Sequence, residues 1–123
     1  MLRTGFADQQ AWEAVREAVR LADDTFEYVT FLDDPAYRDL SSEQILALVP
    51  EEYPHSFLIV ADDTTVALAD RPLLVVDLYE ERGREFRTVP LEVISISSNL
   101  SIANMDFSEF ADAVDSDGVY RGH

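Results

Sequence analysis

Three stretches of the chain repeat apolar residues at the spacing of an α-helix: residues 8–22, 41–49 and 106–114. In the third, Phe107 and Phe110 lie about one turn apart and would face the same side of a helix. Each stretch opens with aspartate or serine, and the second and third carry glutamine or glutamate three positions later. This capping-box pattern predicts a helix start at those positions.

Four stretches are rich in β-branched, aromatic or aliphatic residues, and they predict β-strands. They cover residues 26–32, 57–61, 73–78 and 85–89. The second and third are continuous apolar runs, which is typical of strands that are buried on both faces. Turn residues around Gly83 separate the last two stretches, which indicates a β-hairpin.

Residues 90–103 mix β-branched residues with serines, and Pro90 suits the first turn of a helix. We expect a short helical turn over residues 90–96. The chain has neither an internal repeat nor a linker, so residues 1–123 are expected to form a single domain. The order of elements predicts an α/β fold with a mixed, mostly parallel sheet of about four strands. Three or four helices would cover both faces of this sheet.

Net charge argues against several classes of partner. The chain has 25 acidic and nine basic residues, a net charge of −16, and every basic residue is arginine. A field of that sign repels phosphate, so we expect neither nucleic acid nor an anionic membrane surface to bind. Because lysine is missing, the chain can supply neither a Schiff-base lysine nor the phosphate-binding lysine of a P-loop.

The chain also lacks cysteine and has two histidines. Disulfides, thiolate nucleophiles and iron–sulfur clusters are therefore excluded, and we expect no metal centre and no cofactor. No Gly-x-Ser-x-Gly motif marks a nucleophile, so we expect a non-enzymatic protein. The first residues lack the apolar core of a signal peptide, and no stretch approaches the roughly 20 apolar residues that span a bilayer. These features predict a cytoplasmic protein.

The most distinctive sequence motif is at residues 99–107, Asn-Leu-Ser-Ile-Ala-Asn-Met-Asp-Phe. Together with the Trp12 to Val15 stretch and the 72–78 run, it resembles a family of small bacterial proteins of unknown function. The family is typical of actinobacterial-type genomes, and the all-arginine basic set is consistent with that origin. The resemblance covers nearly the whole chain. It implies a single domain, and it brings no catalytic residues with it.

Aspartates follow three of the predicted strands: Asp33 and Asp34, Asp62 and Asp63, and Asp77. In an open α/β sheet, the carboxyl ends of parallel strands meet where ligands bind, and carboxylates there could hold magnesium. The arrangement is similar to a phosphoacceptor receiver domain, although the lysine of that family has no counterpart here. The alternative is that these residues only cap turns. Asp77 lies within an apolar run, so it needs a partner, which the nearby arginines could supply.

Arg82, Arg84 and Arg87 form the only local concentration of basic residues in the sequence. They could bind a carboxylate or phosphate, since guanidinium groups bind such anions in a bidentate manner. Alternatively, they pair with the neighbouring acidic residues on the surface of the hairpin.

The sequence favours a non-catalytic, acidic protein-binding domain, with an immunity- or antitoxin-like inhibitor of a basic partner as the sharpest version. Exposed tyrosines would supply contact area beside the acidic residues. The candidates are Tyr37, Tyr53, Tyr79 and Tyr120. The alternative function is a magnesium-dependent, phosphoryl-handling or receiver-like domain that uses the strand-end aspartates.

Overall fold

The computed structural model describes residues 1–22, 32–53, 55–101 and 105–122, which contain a five-stranded sheet. The strands are β1 (Leu2–Arg3), β2 (Phe57–Ala61), β3 (Leu73–Asp77), β4 (Glu85–Thr88) and β5 (Val119–Tyr120). The α-helices are α1 (Gln9–Ala22), α2 (Ser42–Leu48), α3 (Asp63–Ala67), α4 (Val93–Ser101) and α5 (Phe107–Ala111). Two 3₁₀ turns cover Pro35–Tyr37 and Pro90–Glu92. No helix among these residues is long and apolar enough to cross a membrane.

The strands lie side by side in chain order, from β1 to β5. The central pairings, β2–β3 and β3–β4, are antiparallel, whereas the outer pairings, β1–β2 and β4–β5, are parallel. The α/β class and the mixed sheet are thus confirmed, but the described strands are not mostly parallel. The short connections are the reason. Residues 62–72, which include α3, join β2 to β3, and a tight turn joins β3 to β4. Both are shorter than a typical parallel crossover.

One face of the sheet carries the larger hydrophobic cluster. The buried stripe of α1, formed by Trp12, Val15 and Val19, shares this cluster with Ile59 and Val75 of the sheet. Helices α4 and α5 add their apolar sides to it. Spacing at i, i+3 and i+7 places the three α1 residues on one side of the helix, as the sequence predicts.

The opposite face carries a smaller cluster, in which Ile45 of α2 packs with Leu2, Val60, Leu74 and Val76. Successive strand residues point to opposite faces, so β2 and β3 supply side chains to both clusters. This explains why their sequences are continuously apolar, and it confirms that helices cover both faces.

Most of the predicted elements are present with small shifts in their bounds. The predicted helical turn at 90–96 is longer than expected, because the Pro90–Glu92 turn leads into α4 and the helix continues to Ser101. The predicted strand at 26–32 lies outside the described residues, except that Leu32 makes an isolated parallel bridge with Leu2. The short elements β1, α3 and β5 were not predicted.

Candidate functional site

Two adjoining clefts open at the end of the sheet where β2 begins and β3 ends, which we call the Asp77 end. In the sheet register, Phe57 lies opposite Asp77 at this end. The first cleft, of about 550 Å³, lies between the β3–β4 turn on one side and the last residues of α4 with residues 105–107 on the other. The second, of about 510 Å³, lies between the same turn and the residues that follow α2.

Three residues, His55, Ser56 and Tyr79, line both clefts, and we call them the ridge. The Tyr79 side chain is 79% exposed, the largest exposure among the large hydrophobic and aromatic residues of the described chain. The His55 ring makes an edge contact with Tyr53, with 5.4 Å between the ring centroids. The ridge therefore presents aromatic surface to both clefts.

Asp77 is buried at the base of the first cleft, with 2% of its surface exposed. Its carboxylate accepts hydrogen bonds from the backbone N–H groups of Tyr79 (2.9 Å), Glu80 (3.3 Å) and Glu81 (2.8 Å). The expectation that a nearby arginine would supply its partner is therefore wrong, because the β3–β4 turn folds its own amides onto the carboxylate. These bonds fix the turn that carries Tyr79.

Two further acidic side chains, Glu80 and Asp106, line the first cleft and interact with each other. Partial desolvation, followed by the charges of Asp106 and Asp77, raises the pKa of Glu80 above its ordinary value. The part of this shift that comes from Asp106 and Asp77 reflects a concentration of negative charge, which would attract a cation. The apolar side of the cleft includes Leu100, Met105 and Phe107.

The second cleft has a different chemical character. Its lining residues are Val49, Pro50, Glu51, Tyr53, Leu78 and Arg82, in addition to the ridge. Burial raises the pKa of the Tyr53 hydroxyl above its ordinary value. The two charged residues have opposite signs, and a guanidinium N–H of Arg82 donates to the carbonyl of Leu46 (3.2 Å). The other side chains of this lining are apolar or aromatic, but the cleft as a whole exposes slightly more polar than apolar surface.

The opposite end of the sheet, which we call the Asp62 end, holds a different set of polar contacts. Asp62 follows β2, and its carboxylate binds Arg87 of β4 through two bonds of 3.0 and 2.8 Å. Burial alone would raise the pKa of Asp62, but the hydrogen bonds and charge of Arg87, with bonds from Thr65, lower it below the ordinary value. The same carboxylate caps the first turn of α3.

Asp33 lies at the Asp62 end as well, because Leu32 pairs with β1, which runs parallel to β2. Its carboxylate accepts bonds from the buried Arg3 guanidinium (3.1 Å) and from the Trp12 indole N–H (3.2 Å). Asp33 thus holds α1 and β1 together.

The strand-end aspartates do not form one cluster. Asp77 and Asp62 lie at opposite ends of the sheet, and the four steps of β3 between those ends span about 13 Å. Asp34 caps the Pro35–Tyr37 turn by accepting from the Ala36 N–H (2.9 Å), and Asp63 is exposed in the first turn of α3. Within the described ranges, no group of three histidine or acidic side chains is arranged to hold a metal ion.

Comparison with known families gives one result. The model of a family described as a domain of unknown function (DUF6924) matches residues 1–123. The chain belongs to this family. The match confirms that the protein is a member of a family without an assigned function. A search of curated proteins found no match.

The three arginines that lie close together in the sequence of this DUF6924 member, Arg82, Arg84 and Arg87, make separate contacts in the structure. Arg87 pairs with Asp62, Arg84 pairs with Glu81 (3.6 Å) and Asp112 (2.8 Å), and Arg82 lines the second cleft. Pairing with a neighbouring acid of the hairpin, one of the two alternatives in the sequence, describes Arg84 with Glu81, whereas Arg87 pairs with Asp62, which lies outside the hairpin.

The four candidate tyrosines also have different environments. Tyr79 and Tyr53 line the clefts, whereas Tyr37 packs half-buried against the smaller core cluster. Tyr120 was predicted to be an exposed contact residue, and this is wrong. Its ring is 9% exposed and makes an edge contact with Phe110, because β5 adds it to the larger cluster.

Sequence reasoning missed several residues that line the clefts, among them His55, Glu80 and Asp106. Glu80 was considered only among the acidic neighbours of the hairpin arginines, and Asp106 only as a helix cap. A usable signal was present, because His55 stands two residues before a buried strand and Glu80 stands in the turn that follows another. Only the antiparallel pairing of those strands brings the two positions together.

Proposed function

We propose that this protein is a non-catalytic protein-binding domain that takes a basic segment of a protein partner at the Asp77 end. One observation carries the proposal. The charged side chains of the first cleft are the acids Asp77, Glu80 and Asp106, and the exposed ring of Tyr79 stands at its edge. A guanidinium or ammonium group fits this combination, because carboxylates and an aromatic face both attract it.

The net charge of −16 supports the proposal over longer distances. A strongly acidic surface accelerates encounter with a basic partner and disfavours acidic competitors. Tyrosine at the centre of a contact surface supplies rigid area with little loss of side-chain entropy, and such residues dominate many interfaces. In this proposal, the charge of the whole surface attracts the basic partner, and the first cleft recognises its basic segment.

The finer version of the proposal is an immunity- or antitoxin-like inhibitor acting in the cytoplasm of an actinobacterial-type host. Its support is compositional: a small acidic domain whose nine basic residues are all arginine. A neighbouring gene for a basic, toxin-like protein would support this role. A purified protein from that gene that kept full activity in the presence of this domain would contradict it.

Peptide titration tests the binding site directly. The probe is an eight-residue peptide of alternating arginine and glycine, titrated into ¹⁵N-labelled protein. We expect shifts concentrated at Tyr79, Glu80 and Asp106. Replacing the two acids, Glu80→Gln with Asp106→Asn, should weaken binding about five- to tenfold, because two carboxylates that contact the cation are lost.

A matched control distinguishes binding at the first cleft from attraction by the net charge of the protein. The double variant Glu13→Gln with Asp39→Asn removes the same two charges from exposed positions. Glu13 follows Trp12, whose indole binds Asp33, and the Asp39 N–H bonds to Thr4, so both lie towards the Asp62 end. This control should weaken binding by less than about twofold. Equal effects of the two double variants, or shifts spread over the whole surface, would contradict the proposed site.

A further inference from the structure

The β3–β4 turn contacts both ends of helix α5, with opposite electrostatic character at the two ends. At the end of the helix, Arg84 of the turn binds Asp112 (2.8 Å), the residue that follows α5. At the start of the helix, the partner on the turn is Glu80, whose carboxyl group lies within hydrogen-bonding reach of the Asp106 carboxyl group. Both of these acids also line the first cleft. The turn is therefore held to one end of α5 by opposite charges and meets a like charge at the other end.

Two carboxyl groups in contact form a hydrogen bond only if one of them carries a proton, because an ionised carboxylate accepts bonds and donates none. When both are ionised, the like charges repel each other. Among the described residues, no arginine forms an ion pair with Glu80 or Asp106. The charge of this contact is therefore left for a proton, or another cation from the solvent, to neutralise.

The groups around Glu80 favour its neutral form. Partial desolvation is the first cause that raises its pKa, and the charge of Asp106 is the second. The charge of Asp77, the hydrogen bond with Asp106 and the charge of Glu81 act in the same direction. From α5, Glu109 adds a further carboxylate beside the pair, since it accepts a bond from the Asp106 N–H (3.3 Å). Acidic groups thus lie near Glu80 on both the turn and the helix.

We propose that Glu80 and Asp106 form a proton-operated clasp between the β3–β4 turn and the start of α5. In mildly acid solution the pair takes up one proton from the solvent, and a carboxyl–carboxylate hydrogen bond joins the two elements. At higher pH this proton is released, the bond is lost, and both ionised carboxylates face the first cleft. The clasp is a property of the free protein. Its consequence for binding rests on the proposed function: a closed clasp neutralises one of the acids that attract a basic segment, so acid releases the segment.

Titration of Glu80 by NMR in the free protein tests the clasp. The signal is its side-chain carboxyl carbon, followed from about pH 3 to about pH 8. We expect a midpoint above about 4.3, the ordinary value for glutamate. Asp106→Asn removes the facing charge and should lower this midpoint by at least about half a pH unit. The backbone N–H signal of Phe107, the first residue of α5, should shift with the same midpoint as Glu80.

Two variants separate the clasp from other charges. Asp39→Asn makes the same change at an exposed position towards the Asp62 end, and it should move the Glu80 midpoint by less than about 0.2 pH units. Beside the acids, the titratable groups of the cleft lining are Tyr79 and His55, and α4 contributes uncharged residues. Because imidazole takes up a proton in mildly acid solution, His55→Gln is the second variant, and the Glu80 midpoint should stay above its ordinary value there.

Three results would overturn the clasp. The first is an ordinary midpoint for Glu80 in the parent protein. The second is a raised midpoint that survives Asp106→Asn, because burial alone would then explain it. The third is a Phe107 signal that does not follow the Glu80 midpoint, since the proton would then not join the turn to the helix.

The peptide of alternating arginine and glycine distinguishes this inference from the proposed function. About one pH unit below the Glu80 midpoint, it should bind at least about threefold more weakly than at neutral pH. Equal affinity at the two pH values would overturn the control of the cleft by the clasp. If the peptide does not bind at the Asp77 end while the titrations behave as expected, the proposed function is wrong and the clasp stands.

Discussion

At the residue scale, the informative position is Asp77. The sequence marks it as an aspartate within an apolar strand, and such a group needs a partner when it is buried. The structure supplies three backbone N–H groups from the β3–β4 turn, at 2.8–3.3 Å. A carboxylate that accepts several amide bonds stabilises the turn, and this turn carries Tyr79 and Glu80. Asp77 therefore acts on the candidate site by positioning other residues.

Replacing Asp77 should destabilise the turn. We expect Asp77→Ala to lower the free energy of unfolding by about 1–3 kcal/mol, since three amides lose a charged acceptor. Asp77→Asn retains one acceptor oxygen and should cost less. Urea unfolding of the three proteins gives the comparison. An alanine variant as stable as the parent protein would show that these bonds contribute nothing.

At the element scale, single ion pairs connect elements that are distant in sequence. The carboxylate of Asp62 caps α3 and also binds Arg87 on β4, which is two strands away from β2. Both side chains are 24% exposed, so the pair is only partly screened by water. A second network joins Arg121, after β5, to Asp70, Asp115 and Asp117. Such contacts hold the short edge strand and the short helix in place.

The Asp62–Arg87 pair predicts a pH dependence. Because the pKa of Asp62 is lowered in the folded protein, its contribution to stability is full above the unfolded pKa, near 3.9. The contribution is lost as the pH falls through the lower folded value. Asp62→Asn should therefore cost about 1–2 kcal/mol at neutral pH, and the difference from the parent should shrink below about pH 3.

The measurement is unfolding by urea at a series of pH values. The neighbouring variant Asp63→Asn serves as the control, since Asp63 is exposed and, among the described residues, forms no ion pair with an arginine. A constant difference between Asp62→Asn and the parent across the pH series would contradict the assigned ion pair.

At the scale of the whole molecule, the net charge of −16 dominates. Within the described ranges, the arginines that form ion pairs are Arg3, Arg20, Arg84, Arg87 and Arg121. The chain has 25 acidic and nine basic residues, so most of its negative charges have no positive charge to balance them. Self-repulsion of the excess charge disfavours the compact state, and dissolved salt screens it.

Salt should therefore stabilise the fold. Raising sodium chloride from about 10 mM to about 200 mM should raise the melting temperature by about 2–5 °C, because repulsion between unpaired carboxylates outweighs the loss from screened ion pairs. Sodium sulfate at equal ionic strength is the control, and an equal shift identifies screening as the cause. A melting temperature that falls with salt would show that the ion pairs dominate.

Local pattern was sufficient for much of the fold. The stripe at Trp12, Val15 and Val19 and the capping box at Ser41 concern residues close in sequence, and both are confirmed. The two-residue strands were not predicted, and the prediction that Tyr120 is exposed was wrong. Strands of two residues form only when a neighbouring strand is already in place, so β5 and the burial of Tyr120 depend on β4.

The sequence by itself determined helices α1, α2 and α5, strands β2 to β4, the α/β class and the acidic character, because each depends on local spacing or on composition. The turn residues around Gly83 indicated the antiparallel pairing of β3 with β4, whereas the tertiary structure decided the directions of the other strands, and with them which polar residues meet. Antiparallel pairing of β2 with β3 sends Asp77 to the end opposite Asp62 and brings it beside His55 and Asp106. Residues 62–72 are shorter than a typical parallel crossover, but α3 within them was not predicted, so the antiparallel pairing of β2 with β3 became clear only in the structure.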